Sequence, residues 1–93
     1  MTGQDVERRI VTIKSPHGLH MRPAQGFVAA TNQYDCEVTV SKGNQRVNGK
    51  SLLMLLGLVA LQGTELLLEV SGPDAARAID SLAEELARVY PDD

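Results

Sequence analysis

Tryptophan is absent from this 93-residue chain, cysteine occurs once, and aromatic residues of all kinds make up only 3%. Each shortage removes a class of function. A single cysteine, Cys36, closes no internal disulfide and completes no CxxC redox or zinc motif. Asp35 and Glu37 flank it and disfavour its thiolate, so Cys36 reads as a packing residue rather than a nucleophile. With so few aromatics there is no platform on which single-stranded nucleic acid could stack. Positive charge is short too. Nine basic residues face twelve acidic ones, the net charge is −3, and only Arg8 and Arg9 are adjacent. Nucleic-acid binders carry a basic stripe, and this chain has none. Long apolar runs are also missing. The first nine residues are polar and hold no signal-peptide core. Leu52 to Leu61, interrupted by Gly57, falls well short of the roughly 20 apolar residues that span a bilayer. The expectation is a cytoplasmic protein, inserted in no membrane and bound to no nucleic acid.

The chain also lacks a Gly-rich phosphate loop, HExxH and GxSxG. Its length suits one domain over residues 1–93, with 1–6 as a loose N-terminal extension. A domain this short buries about 60–65% of its unfolded surface. That leaves little room for an enclosed cavity, so any chemistry belongs on the surface.

What is present reads in the order β-α-β-β-α-β-α. Arg9–Ile13 is β-branched and stops at Ser15-Pro16, as a strand does. From Met21-Arg22-Pro23 onward, Ala24, Phe27, Val28 and Thr31 mark one face of a helix, with Pro23 tolerated in its first turn. Glu37–Ser41 and Gln45–Asn48 form a hairpin about Lys42-Gly43-Asn44. Ser51 suits the N-cap of a short helix ending near Leu58. Glu65–Ser71 is a further strand. Gly72-Pro73-Asp74 opens a last helix, whose buried face is Ala75, Ile79, Leu82, Ala83, Leu86 and Tyr90. Glu84 and Glu85 read as its solvated face, with Arg88 spaced to pair with Glu84. The class is α+β, an antiparallel sheet with helices on one face. Periodicity alone defaults to a ferredoxin-like split βαβ.

Both histidines, His17 and His20, lie in one loop. His20 immediately precedes a helix, whose first amides and positive dipole end favour an anion. Its imidazole is a nucleophile when neutral. Arg22, two residues on, adds a permanent cation with a fork that fits phosphate oxygens. Gly18 lets the loop bend back. Together these describe a covalent phosphate acceptor with its anion site attached. His17, between Pro16 and Gly18, reads as an exposed loop residue. In the middle helix, Leu52, Leu55, Leu56 and Val59 read as facing the sheet. Leu53 and Met54 then point outward as an apolar patch of the kind partners dock on.

Gly18-Leu19-His20-Met21-Arg22-Pro23-Ala24, within Ser15–Ala24, resembles the active-site segment of the HPr family, the histidine-containing phosphocarriers of the bacterial phosphotransferase system. Val47–Leu53 with Leu58, followed by Gln62-Gly63-Thr64-Glu65, is similar to the family's second characteristic region. The resemblance runs from about Glu7 to Tyr90. It implies an open-faced β-sandwich, a four-stranded antiparallel sheet with three helices on one face, in place of the ferredoxin-like default. It implies a phosphoryl group on Nδ1 of His20, received from enzyme I and passed to an EIIA-type component, with Arg22 balancing its charge. Ser51 matches the serine modified by HPr kinase/phosphorylase, and Leu53 and Met54 fall on the docking helix. No metal or cofactor is implied, and the protein is expected to be a monomer. Met21 departs from the small residue common at that place. A retained histidine favours the phosphocarrier over its alternative, a regulatory module acting through Ser51.

Overall fold

The computed structural model describes residues 5–91. Its elements are β1 (Val6–Thr12), α1 (Met21–Thr31), β2 (Glu37–Lys42), β3 (Gln45–Asn48), α2 (Leu52–Gly57), β4 (Glu65–Ser71) and α3 (Ala75–Ala87). The sheet has four strands in the order β1-β4-β2-β3, every neighbouring pair antiparallel. This is the open-faced sandwich of the HPr resemblance and corrects the ferredoxin-like default. In that default the hairpin's second strand fills the gap between β1 and β2; here β4 does so. Composition explains the choice. β3 is Gln-Arg-Val-Asn, with Val47 its only buried residue, and suits an edge. β4 buries Leu66, Leu68 and Val70 completely and suits the centre.

The core lies between the sheet and the helices. Alternation in the strands sends Val11, Val38, Val40, Val47, Leu66, Leu68 and Val70 to one side. Phe27, Leu55, Ile79, Leu82 and Leu86 meet them from the helices. Burying a side chain of this size contributes about 1.5–3 kcal/mol. The other face of the sheet stays open. There Glu69 bonds Arg8 at 2.8 Å and lies 3.8 Å from Arg46, tying the two outer strands to the centre. The hairpin turns at Gly43, whose φ of +59° at the first central position matches a type II′ turn. Asp74, at the start of α3, accepts the Asp35 N–H at 2.7 Å. That bond, with help from Arg77, holds its carboxyl below the ordinary value.

Several boundaries differ from the sequence reading. β1 begins at Val6 rather than Arg9, because Val6, Glu7 and Arg8 pair with Ser71, Val70 and Glu69. The expected N-terminal extension therefore loses Val6 to the sheet, and the Asp5 carbonyl accepts the Gly72 N–H; residues 1–4 of that extension lie outside the described residues. α3 ends at Ala87, since Arg88 is extended, and Tyr90 leaves the helix face assigned to it. Arg88 pairs with Glu85 at 3.1 Å rather than with Glu84.

Val59 is the largest departure. It does not face the sheet but is 62% exposed, and its φ of +53° makes it the only non-glycine residue with positive φ among those described. The chain leaves α2 there, and Lys42 Nζ donates to the carbonyls of Leu58 and Val59 at 3.1 and 3.0 Å. A β-branched residue in this region is strained. Glycine relieves that strain at some entropic cost, so Val59→Gly is expected to stabilise the fold by about 0.5–1 kcal/mol and raise Tm by about 2–8 °C. Thermal denaturation checks this, and a lower Tm would contradict it.

Candidate functional site

The loop from Ile13 to His20 is strapped to the loop between α2 and β4. Ile13 and Thr64 are joined at 2.9 Å, Gly63 N–H donates to Ile13 at 2.8 Å, and Leu19 N–H donates to the Ala60 carbonyl at 2.8 Å. Gln62 Nε2 adds a bond to the Lys14 carbonyl at 3.1 Å. Gly18 allows the closest approach. It has φ +73°, and a Cβ there would stand 2.4 Å from the Ala60 oxygen. Ser15 to Gly18 close a turn through the 2.9 Å bond from Gly18 N–H to the Ser15 carbonyl. Leu19 and Ile13 are buried beneath it and fix its height over the core.

His20 emerges from this strap as the N-cap of α1, with extended backbone and no capping bond from its side chain. It is half-buried. The first helical bond, Ala24 N–H to the His20 carbonyl at 3.1 Å, anchors the residue from below. His17 is exposed as expected, but its ring meets the His20 ring edge to face, with centroids 5.7 Å apart. The sequence reading missed this contact; the Pro16-containing turn folds the loop back between the two rings. Arg22 stands exposed in the first turn of α1, its guanidinium 4.7 Å above the Tyr90 ring. Tyr90 was read as core and instead joins this surface.

Ser51 caps α2 as the sequence predicts, its Oγ accepting the Met54 N–H at 3.3 Å. Leu55 and Leu58 plug the core, while Leu52 and Leu56 are only half-buried. Leu53 and Met54 face outward, 81% and 46% exposed. Met21, Val59 and Leu61 are exposed as well, so the apolar surface on α2, its exit loop and the start of α1 is larger than the sequence marked out. Cys36 is buried. Burial pushes its thiol up, Asp74 and Asp35 add to that, and Lys50 opposes it, which fits a packing role. Among the described residues no helix is long and apolar enough to cross a membrane, and no group of ligands could hold a metal.

An antiparallel open sheet roofed on one side by helices, with a histidine opening the first of them, defines a small carrier domain of the phosphotransfer type. The chain belongs to the HPr family of the phosphotransferase system: the family model described as "PTS HPr component phosphorylation site" matches residues 7–88. The phosphocarrier protein HPr of Neisseria meningitidis serogroup A is 38% identical over 77 residues, covering 83% of this chain and 86% of that protein. The HPr-like protein Crh of Bacillus subtilis is 37% identical over 83 residues, covering 89% and 92%. Among solved structures, the phosphocarrier HPr of Bacillus anthracis superposes with a TM-score of 0.80 at 28% identity, covering 86% of this chain and 95% of that one. Family membership places the chain among phosphocarriers that work with the other proteins of that system.

Ser51→Ala removes the acceptor for Met54 N–H at the start of a six-residue helix. The expected cost is about 0.5–2 kcal/mol, with a smaller loss for Ser51→Asp, whose carboxylate caps too. Urea denaturation measures both, and equal stabilities for Ser51→Ala and the parent chain would contradict the cap.

Proposed function

We propose that this protein takes a phosphoryl group from phospho-enzyme I onto Nδ1 of His20 and hands it to an EIIA-type component in the cytoplasm. The carrying observation is that His20 caps α1 without using its side chain for the cap. The imidazole therefore stands at the positive end of a helix dipole. Pro23 has no N–H, and the Ala24 N–H is committed to the His20 carbonyl. The amides of Met21 and Arg22 are then the donors that meet phosphoryl oxygens at this helix start. Transfer is a displacement at phosphorus. The Nδ1 lone pair forms the new bond while the bond to the donor breaks, and the second transfer repeats this with the imidazole as leaving group. Positioning and charge stabilisation carry such a reaction. The Arg22 guanidinium offsets the developing charge with a fork that Lys lacks. Leu53 and Met54, extended by Met21, Val59 and Leu61, form the face on which enzyme I and the acceptor dock in turn. Labelling with phosphoenolpyruvate and enzyme I tests the assignment. His20→Ala is expected to abolish the acid-labile label and His17→Ala to retain most of it; label surviving in His20→Ala would overturn the reading.

The placement of Ser51 supports a regulatory role alongside this one, through an HPr kinase/phosphorylase. Its hydroxyl lies at the start of α2, next to the exposed Leu53 and Met54. A phosphate there adds about −1.5 to −2 charge at a helix end that tolerates anions, so the fold is preserved. The added charge falls at the rim of the docking face, where it acts on association rate. Ser51→Asp is therefore expected to slow transfer from enzyme I at low salt, and the slowing to shrink as salt rises. Ser51→Ala leaves transfer unchanged. Stopped-flow transfer across a salt series reads this, and salt-independent rates for Ser51→Asp equal to the parent's would count against it.

A further inference from the structure

Arg22 makes a contact that anion binding does not explain. Its guanidinium carbon lies 4.7 Å from the centroid of the Tyr90 ring. Tyr90 is half-buried and lies beyond the end of α3. The chain reaches that place because Arg88 is extended, with φ −64° and ψ 137°. Pro91 then keeps Tyr90 out of the helical region. On α1 the ring meets Gly26, where a Cβ would come within 2.3 Å of the Tyr90 hydroxyl oxygen. Glycine inside a helix is unfavourable relative to alanine. Gly26 has no positive φ that would demand it. Its missing side chain instead forms a notch that Tyr90 occupies. Residues four apart share a helix face. The ring thus lies along one turn of α1, its hydroxyl end in the notch and its face beneath Arg22. Arg88 approaches the same ring at 5.9 Å and is itself held by Glu85 at 3.1 Å.

We propose that Tyr90 is a positioning residue for Arg22 in phosphoryl transfer, a role that rests on His20 being the acceptor. Stacking engages the flat face of a guanidinium, whereas phosphate oxygens are bound along its N–H edge. Ordering an arginine side chain at the moment the phosphoryl group arrives opposes transfer. The ring contact contributes order beforehand. In this role Tyr90 acts through Arg22.

The test is the rate of label transfer from phosphoenolpyruvate and enzyme I to the intact chain and its variants. Tyr90→Leu is expected to slow transfer roughly two- to fivefold, the size of one exposed cation–π contact. Tyr90→Phe keeps the ring and the parent rate. Gly26→Ala fills the notch and displaces the ring, so it slows transfer as Tyr90→Leu does. Its thermal stability holds or rises, because alanine is the better helix former. A merely structural Tyr90 would not separate rate from stability in this way. In the Arg22→Ala background, neither Tyr90→Leu nor Gly26→Ala slows transfer further. Parent-like rates in Tyr90→Leu, or the same slowing without Arg22, overturn the positioning role alone. A parent chain that accepts no label, or label surviving in His20→Ala, overturns the acceptor reading and this role with it.

Discussion

The site depends on the meeting of Gly18 with the carbonyl of Ala60. Those two loops come from distant parts of the chain, and a side chain at position 18 would drive them apart. Their closeness follows from the sheet order. β4 lies beside β1, so the end of β1 and the start of β4 pair at Thr12 and Glu65. The loops beyond that pair continue side by side, through Ile13 with Thr64 and Gly63, then Leu19 with Ala60. His20 is the next residue. Its backbone position is thus set by a ladder carried past the sheet's end. Buried Ile13 and Leu19 make the ladder hard to lift, since each would expose a core-sized apolar side chain.

The same strap links the loop that carries His20 to an exposed apolar surface. Ala60 receives the Leu19 N–H, and its neighbours Val59 and Leu61 are exposed apolar residues. Val59 keeps its strained backbone because the flanking structure over-determines it: Leu58 and Ala60 are buried on either side, and Lys42 ties the two carbonyls before Ala60. The strain is local and the neighbours hold it. A carrier needs a site that two successive partners can reach. On the proposed function, this small domain meets that need by placing His20 at a helix start beside an apolar surface.

Much of this was legible in the residues. Strand and helix types followed from period, the Ser51 cap from residue type, and the place of His20 at a helix start from the Pro23 and helical spacing that follow it. The failures have particular causes. Val6-Glu7-Arg8 carries too little apolar alternation to announce a strand, yet as part of an edge strand it needs only one paired neighbour. Val59 fits the helical period of α2, but the chain abandons the helix before reaching it, and no propensity puts a β-branched residue at φ +53°. Tyr90 likewise fits the period of α3, and the signal against it was Pro91 directly behind. The ring contact of His17 with His20 was legible only as a turn, since spacing says nothing of how two loop rings face.

The two helix starts show how one device serves two chemistries. At α2 the cap side chain is engaged: Ser51 Oγ accepts the Met54 N–H, and the adjoining turn is further tied by Asn48 Oδ1 accepting the Lys50 N–H at 2.9 Å. At α1 the cap residue is a histidine whose side chain makes no such bond, and proline at the third helical position withdraws one donor. The first arrangement is complete in itself and favours stability. The second does without a bond from the N-cap side chain, which costs stability where a serine would have restored it. On the proposed function, a phosphoryl group at the helix start would recover that cost. An α1 that began with serine would be the better helix and would have no imidazole to offer.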